Sequence, residues 1–274
     1  MTNQTPQYVH GTSPEEQRRL ALMSDLLNAA SLREMALRGG EKILDFGCAT
    51  GLLSLAMARA AGPAGRVVGL EISPEQIAEA RRLAATVPEG ARFEIRQGNA
   101  LAPPLREDEW GTFDVVHSRF LLEHLADPLA AVRVMARAVR PGGRVILSDD
   151  DHELLHLSPE PQGLTKLWNA YMKVFARDGL DPIIGRKLVA LLHEAGLKPV
   201  RNTMLFFGGC AGEPRLRTAV DNLVGVLRGA RERILETGIV SAAEFEKTVV
   251  ELDSWGNRPD AAFWYPLPWV EGAR

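Results

Sequence analysis

"KILDFGCATGLLSLAMA", residues 42–58, decides the fold. An apolar run from Ile43 to Phe46 carries one carboxylate, Asp45. Gly47, Ala49 and Gly51 then alternate, and an apolar stretch of helical character follows. This is a chain leaving a strand, turning on small residues and entering a helix. Small residues let the backbone approach a ligand closely, and a helix N-terminus offers free amide donors and positive potential. Dinucleotide sites exploit this with G-x-G-x-x-G. Here the pattern is Gly47-x-Ala49-x-Gly51 with leucine at position 52, so the third glycine is absent. The spacing suits a ligand with a carboxylate and a sulfonium rather than a pyrophosphate.

Outward from this stretch the chain alternates between two periodicities. Residues 42–46, 66–71, 92–97, 113–117 and 143–148 read as strands, and 52–61, 74–86, 120–126 and 128–139 as helices. Ser73-Pro74-Glu75-Gln76 forms a capping box, Asp127-Pro128 starts a helix and Pro141-Gly142-Gly143 ends it. Strand–helix alternation predicts an α/β fold, a doubly wound, mostly parallel sheet whose strand ends surround one crevice. Upstream, Ser13-Pro14-Glu15-Glu16 caps a further helix behind a leader, residues 1–12. After residue 150, helices are expected at 162–178, 185–195, 215–236 and 241–255 and a strand at 200–207. The aromatic, proline-rich 261–269 reads as a final strand and its tail. A single domain over 1–274 is expected: 1–40 an N-terminal lid and helix, 41–150 the cofactor-binding core, and 151–274 sheet completion with inserted cap helices.

Two more polar signals sit at strand ends. Glu71 closes "RVVGLEIS", where a carboxylate can accept from both hydroxyls of a ribose. Asn99, in "IRQGNAL", is placed to reach an adenine edge through its amide. "ILDFGCATG", "VVGLEIS", "QGNAL", "FDVVHSRFLLEHLADP" and "LRPGGRVILS" also resemble, in order, the motifs of class I S-adenosylmethionine (SAM)-dependent methyltransferases. More narrowly, they resemble the small-molecule, ubiquinone/menaquinone-type branch. The resemblance covers residues 42–148, with a weaker echo at "IIGRKLVALLHEAGLKPV". It implies a Rossmann-like methyltransferase fold, SAM as cofactor and S-adenosylhomocysteine as its product. It places Asp45, Gly47 and Gly51 around the methionine part, Glu71 at the ribose, Asn99 and Ala100 at the adenine, and Ser118 and Arg119 near the methionine end, with Cys48 and Ile72 as further cofactor contacts. Ala49 replaces the family's middle glycine.

The remaining candidates are weaker. His117 ends a strand beside the expected reaction site and, with His152, is a candidate catalytic residue. Tyr8, Asp151 and Trp255 are candidate substrate contacts, with the leader and the later helices closing over a small acceptor. Cys48 has no paired histidine nearby in sequence and reads as a small residue rather than a nucleophile. No metal is expected, because the run Asp149-Asp150-Asp151-His152 lacks ordered ligand spacing. The net charge of −3 gives no basic field for nucleic acid. The composition, 46% hydrophobic and 24% charged, with no long apolar run, points to no membrane partner. Two cysteines and no signal pattern point to a cytoplasmic protein, and a homodimer is left open. Methyl transfer to a small molecule is therefore expected. A non-catalytic SAM-binding regulator and a nicotinamide-dependent oxidoreductase are the rivals.

Overall fold

The computed structural model describes residues 27–274, so the leader, its capping box and Tyr8 lie outside the described residues. The chain divides into two compact units. The larger comprises Leu27–Asp150, Ile184–Leu205 and Pro268–Arg274, and the smaller Asp151–Ile183 and Phe206–Leu267.

In the larger unit, β1 (Lys42–Phe46), β2 (Arg66–Glu71), β3 (Phe93–Gln97), β4 (Phe113–Arg119) and β5 (Val139–Ser148) run parallel in the order β3-β2-β1-β4-β5. The C-terminal end of β8 (Ala262–Ala273) lies antiparallel to β5, pairing Trp269 with Ser148 and Ala273 with Arg144. Helical residues 27–35 (α1), α2 (Leu52–Ala60), α3 (Pro74–Ala84), α4 (Pro128–Ala138) and α6 (Leu188–Glu194) complete the unit. The α/β alternation of the sequence is thus the alternation of the fold.

Strand register explains which side chains meet. Asp45 pairs with His117, His117 with Ile146 and Ile146 with Glu271, so these residues share one face of the sheet. Their neighbours Leu44, Val116, Val145 and Leu147 point the other way and pack with Val132 and Met135 of α4 and Leu188 of α6 in a fully buried core. On the Asp45 face, α1 is fastened at its end. Arg144 donates to the carbonyl of Met35, and Arg201 to that of Glu34 at 3.1 Å. Both arginines also pair with Glu271, at 2.9 and 3.1 Å.

The smaller unit holds α5 (Leu164–Arg177), α7 (Pro214–Gly229), α8 (Arg231–Leu235) and α9 (Ala242–Trp255). Its amphipathic helices bury Leu167, Tyr171, Phe175, Leu227, Phe245 and Trp255. Ser241 and Glu244 cap α9 reciprocally, as the sequence predicts. Beside the helices, β6 (His156–Ser158) pairs antiparallel with Ala262–Trp264. The strand β7 (Lys198–Cys210) is longer than expected and contributes residues to each unit. Among the described residues, no helix is long and apolar enough to cross a membrane.

Two expected helices differ. Residues 215–236 form α7 and α8, separated by a break at Ala230, rather than one helix. Residues 120–126 contain only a 3-10 turn, Leu122–His124. The cause is local: Phe120 takes φ +55°, and Asp149 captures the N–H groups of Leu121 and Leu122. The left-handed Phe120 excludes a helix starting at 120, and the Asp149 carboxylate caps the short turn that follows, which is extended again by Leu125.

Candidate functional site

The glycine turn is built as its residue types require. The N–H groups of Gly47 and Cys48 both donate to Leu70 O, at 2.8 and 3.0 Å, tying the turn to β2. Gly47 (φ +69°), Ala49 (φ +48°) and Gly51 (φ +75°) all lie in the left-handed region, which glycine adopts without strain and alanine does not. Glu71 compensates at Ala49: its Oε2 accepts the Ala49 N–H at 3.0 Å. Its Oε1 accepts Ile72 N at 2.8 Å and Ser73 N at 3.0 Å. A carboxylate offers about four acceptor sites, so about one remains for a ligand hydroxyl.

Just past the next strand, Asn99 is exposed and closes its own turn, its Oδ1 accepting Leu101 N at 2.8 Å. Its side-chain NH2 is therefore the part that can meet a purine edge. Ala100 beside it is half-buried. Ile72 and Leu101 are 44% and 43% exposed, two large apolar side chains left at adjacent strand ends. Sequence reading missed Leu101. The available signal was an apolar residue inside a turn, directly after the polar "GNA".

Asp45 is almost fully enclosed. Its Oδ2 accepts from Ser54 Oγ at 2.5 Å, and its Oδ1 lies 2.8 Å from His117 Nδ1. His117 is itself 0% exposed, with its ring 6.1 Å from that of Trp269. The candidate base therefore sits inside the sheet–helix layer, bonded to Asp45, rather than facing an open cleft. Ser118 is also fully buried, and its Oγ has no hydrogen-bond partner among the described residues. Arg119 donates to Ser31 Oγ and Asn28 Oδ1 of α1, both at 3.0 Å. Burial pushes its guanidinium down to about 10, against the opposing charge of Asp45, so it stays cationic at neutral pH.

Cys48 is buried, and burial, followed by the charges of Asp45 and Glu71, pushes its thiol well above the usual range. It is unreactive at neutral pH. Its Sγ would lie 2.7 Å from a Cβ on Gly69, so the bare glycine in β2 makes room for it.

The other candidates belong to the smaller unit. His152 is 4% exposed, bonds through Nδ1 to Tyr265 Oη at 2.9 Å and is ringed by Trp168, Tyr171 and Phe175. Asp151 Oδ1 accepts Glu153 N at 3.3 Å, capping a short turn. Trp255 is 2% exposed and donates to Pro159 O at 2.6 Å. These placements suit packing and turn formation.

Comparison with known proteins agrees with this geometry. A family model described as a methyltransferase domain matches residues 15–202. An uncharacterised 37.1 kDa protein in transposon TN4556 of Streptomyces fradiae is 30% identical over 209 residues, 75% of this chain and 55% of that protein. A demethylmenaquinone methyltransferase of Lactococcus lactis is 35% identical over 133 residues, 48% of this chain and 50% of that enzyme. The chain thus spans about half the length of these two relatives. The solved structure of a SAM-dependent methyltransferase from Aquifex aeolicus shares the fold, with a TM-score of 0.55 at 18% identity over 71% of this chain and 93% of that one. A parallel sheet with a small-residue turn after β1, an acid closing β2 and a family match over most of the chain lead to one assignment: the chain belongs to the methyltransferase-domain family.

Proposed function

We propose that this chain transfers a methyl group from SAM to a small-molecule acceptor. The observation that carries the reading is the Glu71 carboxylate, bonded to the N–H of Ala49 inside the glycine turn. It ties the ribose acceptor to the loop that would hold the methionine part, so one ligand spans both. The residues fit that ligand. Glu71 receives a ribose hydroxyl, Asn99 and Ala100 line the adenine edge, and Ile72 and Leu101 cover its faces. Gly47, Cys48 and Gly51 bring the backbone against the methionine part, with Asp45 beneath it and Ser118 and Arg119 at its end.

When bound, SAM supplies a methyl group on a sulfonium, already an excellent leaving group. The chain's task is then alignment and exclusion of water. No exposed base is required unless the acceptor must lose a proton. His117 accordingly orients Asp45 rather than receiving a proton from the acceptor. The relatives named as demethylmenaquinone methyltransferases make hydroxylated aromatic rings the first acceptors to try.

Titration calorimetry with SAM, S-adenosylhomocysteine and NAD tests the cofactor, with binding expected for the first two only. Isotope-labelled SAM incubated with small-molecule extracts then identifies the acceptor. Binding without label transfer to any acceptor would leave a SAM-binding regulator. Glu71→Ala removes a charged acceptor and should weaken S-adenosylhomocysteine by about 1.5–3 kcal/mol. Unchanged affinity would mean that the ribose lies elsewhere.

A further inference from the structure

The strand β7 has two unlike faces. Arg201 and Leu205 share the inner one: Arg201 pairs with Glu34 and, at 3.1 Å, with Glu271, and Leu205 is buried. Side chains alternate along a strand, so Val200, Asn202, Met204 and Phe206 share the other face. That face meets solvent. Val200, Met204 and Phe206 are 55%, 54% and 55% exposed, and Asn202 is exposed between them. Scattered apolar residues on a surface need no explanation, but three at alternate positions of one strand form a stripe.

The edge of the strand is open as well. Among the described residues β7 pairs only with β8, so its other edge offers a row of backbone N–H and C=O groups. Soluble proteins usually protect such edges with short strands, charges, prolines or bulges. Here the strand is 13 residues long, and after Lys198 and Pro199 its only charged residue is Arg201. The two glutamates hold that charge on the inner face. The stripe and the bare edge together are a template for another strand.

The order of residues says which strand fits. Outward from Asn202 in both directions, β7 runs through a polar residue on the inner face, Arg201 or Thr203, to an apolar one on the outer face, Val200 or Met204. It therefore complements an antiparallel copy of itself with Asn202 on the two-fold axis. Val200 then lies opposite the partner's Met204, and Met204 opposite the partner's Val200. Lys198 lies opposite the partner's Phe206, where its stem and ammonium can cover the ring. The two Asn202 amides meet on the axis and can bond to each other. Arg201 faces the partner's Thr203, so no like charges are opposed.

We propose that β7 is the interface of a homodimer, joining two copies edge to edge through residues 198–206 into one continuous sheet. Nine residues a side is fewer than the roughly 20–30 of a standard interface, so the dimer dissociates at about micromolar concentration.

Sedimentation velocity over a concentration series reads the state of the full chain, which should pass from 30.0 kDa to twice that mass as concentration rises. Val200→Glu sets a carboxylate against the partner's Met204 at two symmetric places. It should raise the dissociation constant by about tenfold or more and leave the thermal midpoint of the monomer unchanged. Asn202→Cys in a Cys210→Ser background gives a second readout. A residue on the axis of an antiparallel pair faces itself at about 4.5–5.5 Å between Cα atoms, within disulfide reach. Mild oxidation should therefore yield a covalent dimer, whereas Val250→Cys in the same background, 62% exposed on α9, should not. A chain that stays monomeric throughout, a dimer that Val200→Glu leaves intact, or crosslinking no greater at 202 than at 250 overturns the proposal. Binding of the monomer to phosphatidylglycerol vesicles, lost in Val200→Glu, overturns it too and makes the stripe a lipid-docking face.

Discussion

Gly51→Val is expected to abolish detectable cofactor binding and to lower the unfolding free energy by about 3 kcal/mol or more, the sum of two effects of different origin. The first is in the backbone. Gly51 has φ +75° at the N-cap of α2, a region in which a β-branched residue is strongly disfavoured. The second is space. A Cβ there would lie 2.7 Å from Phe93 Cε1, 3.0 Å from Phe93 Cζ and 3.3 Å from Ala80 Cβ. Phe93 is itself buried in β3, with its other edge close to the bare Gly69 of the neighbouring strand, so moving the ring disturbs packing on both sides. The cost of displacing the ring is therefore carried directly into the turn. Gly62→Val separates the two contributions, because Gly62 has φ +70° but nothing within 4 Å of its Cβ position. It should show only the backbone cost, about 1–3 kcal/mol, with cofactor affinity intact. Gly47→Ala falls between, meeting only the flexible Leu121 Cδ1 at 3.2 Å. Thermal melts with and without S-adenosylhomocysteine check the series. If Gly51→Val melts no lower than Gly62→Val, the packing argument around Phe93 is wrong.

The sequence made this turn legible because the signal is local. Small residues, a preceding β-branched and aliphatic run and a following helix stand next to one another in the chain. The strands β1 and β2 begin and end where the periodicity places them, and Ser73 caps α3 through its 3.2 Å bond to Gln76 N. What could not be read were bonds between distant segments. Asp45 reads as a cofactor ligand and His117 as a base, yet they are bonded to each other across 72 positions. Only strand register brings them together. Residues 120–126 look helical by composition, but Phe120 is left-handed and the carboxylate that caps the short turn after it, Asp149, lies 28 positions from Leu121. The acidic run containing it reads as one cluster facing a substrate or solvent. In the structure Asp149 turns inward beneath the β4 loop, and Asp151 caps a turn in the other unit. Leu101 and the α1 pair Asn28 and Ser31 escaped notice for the same reason. Their meaning comes from what they lie beside, not from their own pattern.

Asp149→Ala is expected to cost about 3 kcal/mol or more, because it orphans up to three backbone donors at once, each worth about 1–3 kcal/mol when buried and unpaired. Its Oδ2 accepts Leu121 N at 3.0 Å and Leu122 N at 2.7 Å, and its Oδ1 accepts Asp150 N at 3.0 Å. Asp149 and Leu122 are both 0% exposed, so water has no ready access to replace these bonds. The loop so held carries Leu121, whose side chain lies against Gly47, and loosening it should weaken S-adenosylhomocysteine as well. Asp149 also gives stability a pH dependence of definite sign. Burial, then the charge of Asp150, pushes its carboxyl up to about 7 from an ordinary value of 3.8. Between those values the folded state keeps a proton that the unfolded chain has released, so stability falls as pH rises through the window, by at most about 1.4 kcal/mol per pH unit. Below about pH 4 both states are protonated and above about pH 7 both are ionised, so the contribution is flat outside the window. Asp149→Asn cannot titrate and removes this slope. It still accepts from Leu121 and Leu122 through its carbonyl but sets an NH2 against the Asp150 N–H. The variant should therefore be less stable than wild type at pH 5, with the difference shrinking by pH 8. Urea unfolding at the two pH values reads this directly, and a gap that stays constant or widens as pH rises would show that Asp149 is ionised throughout.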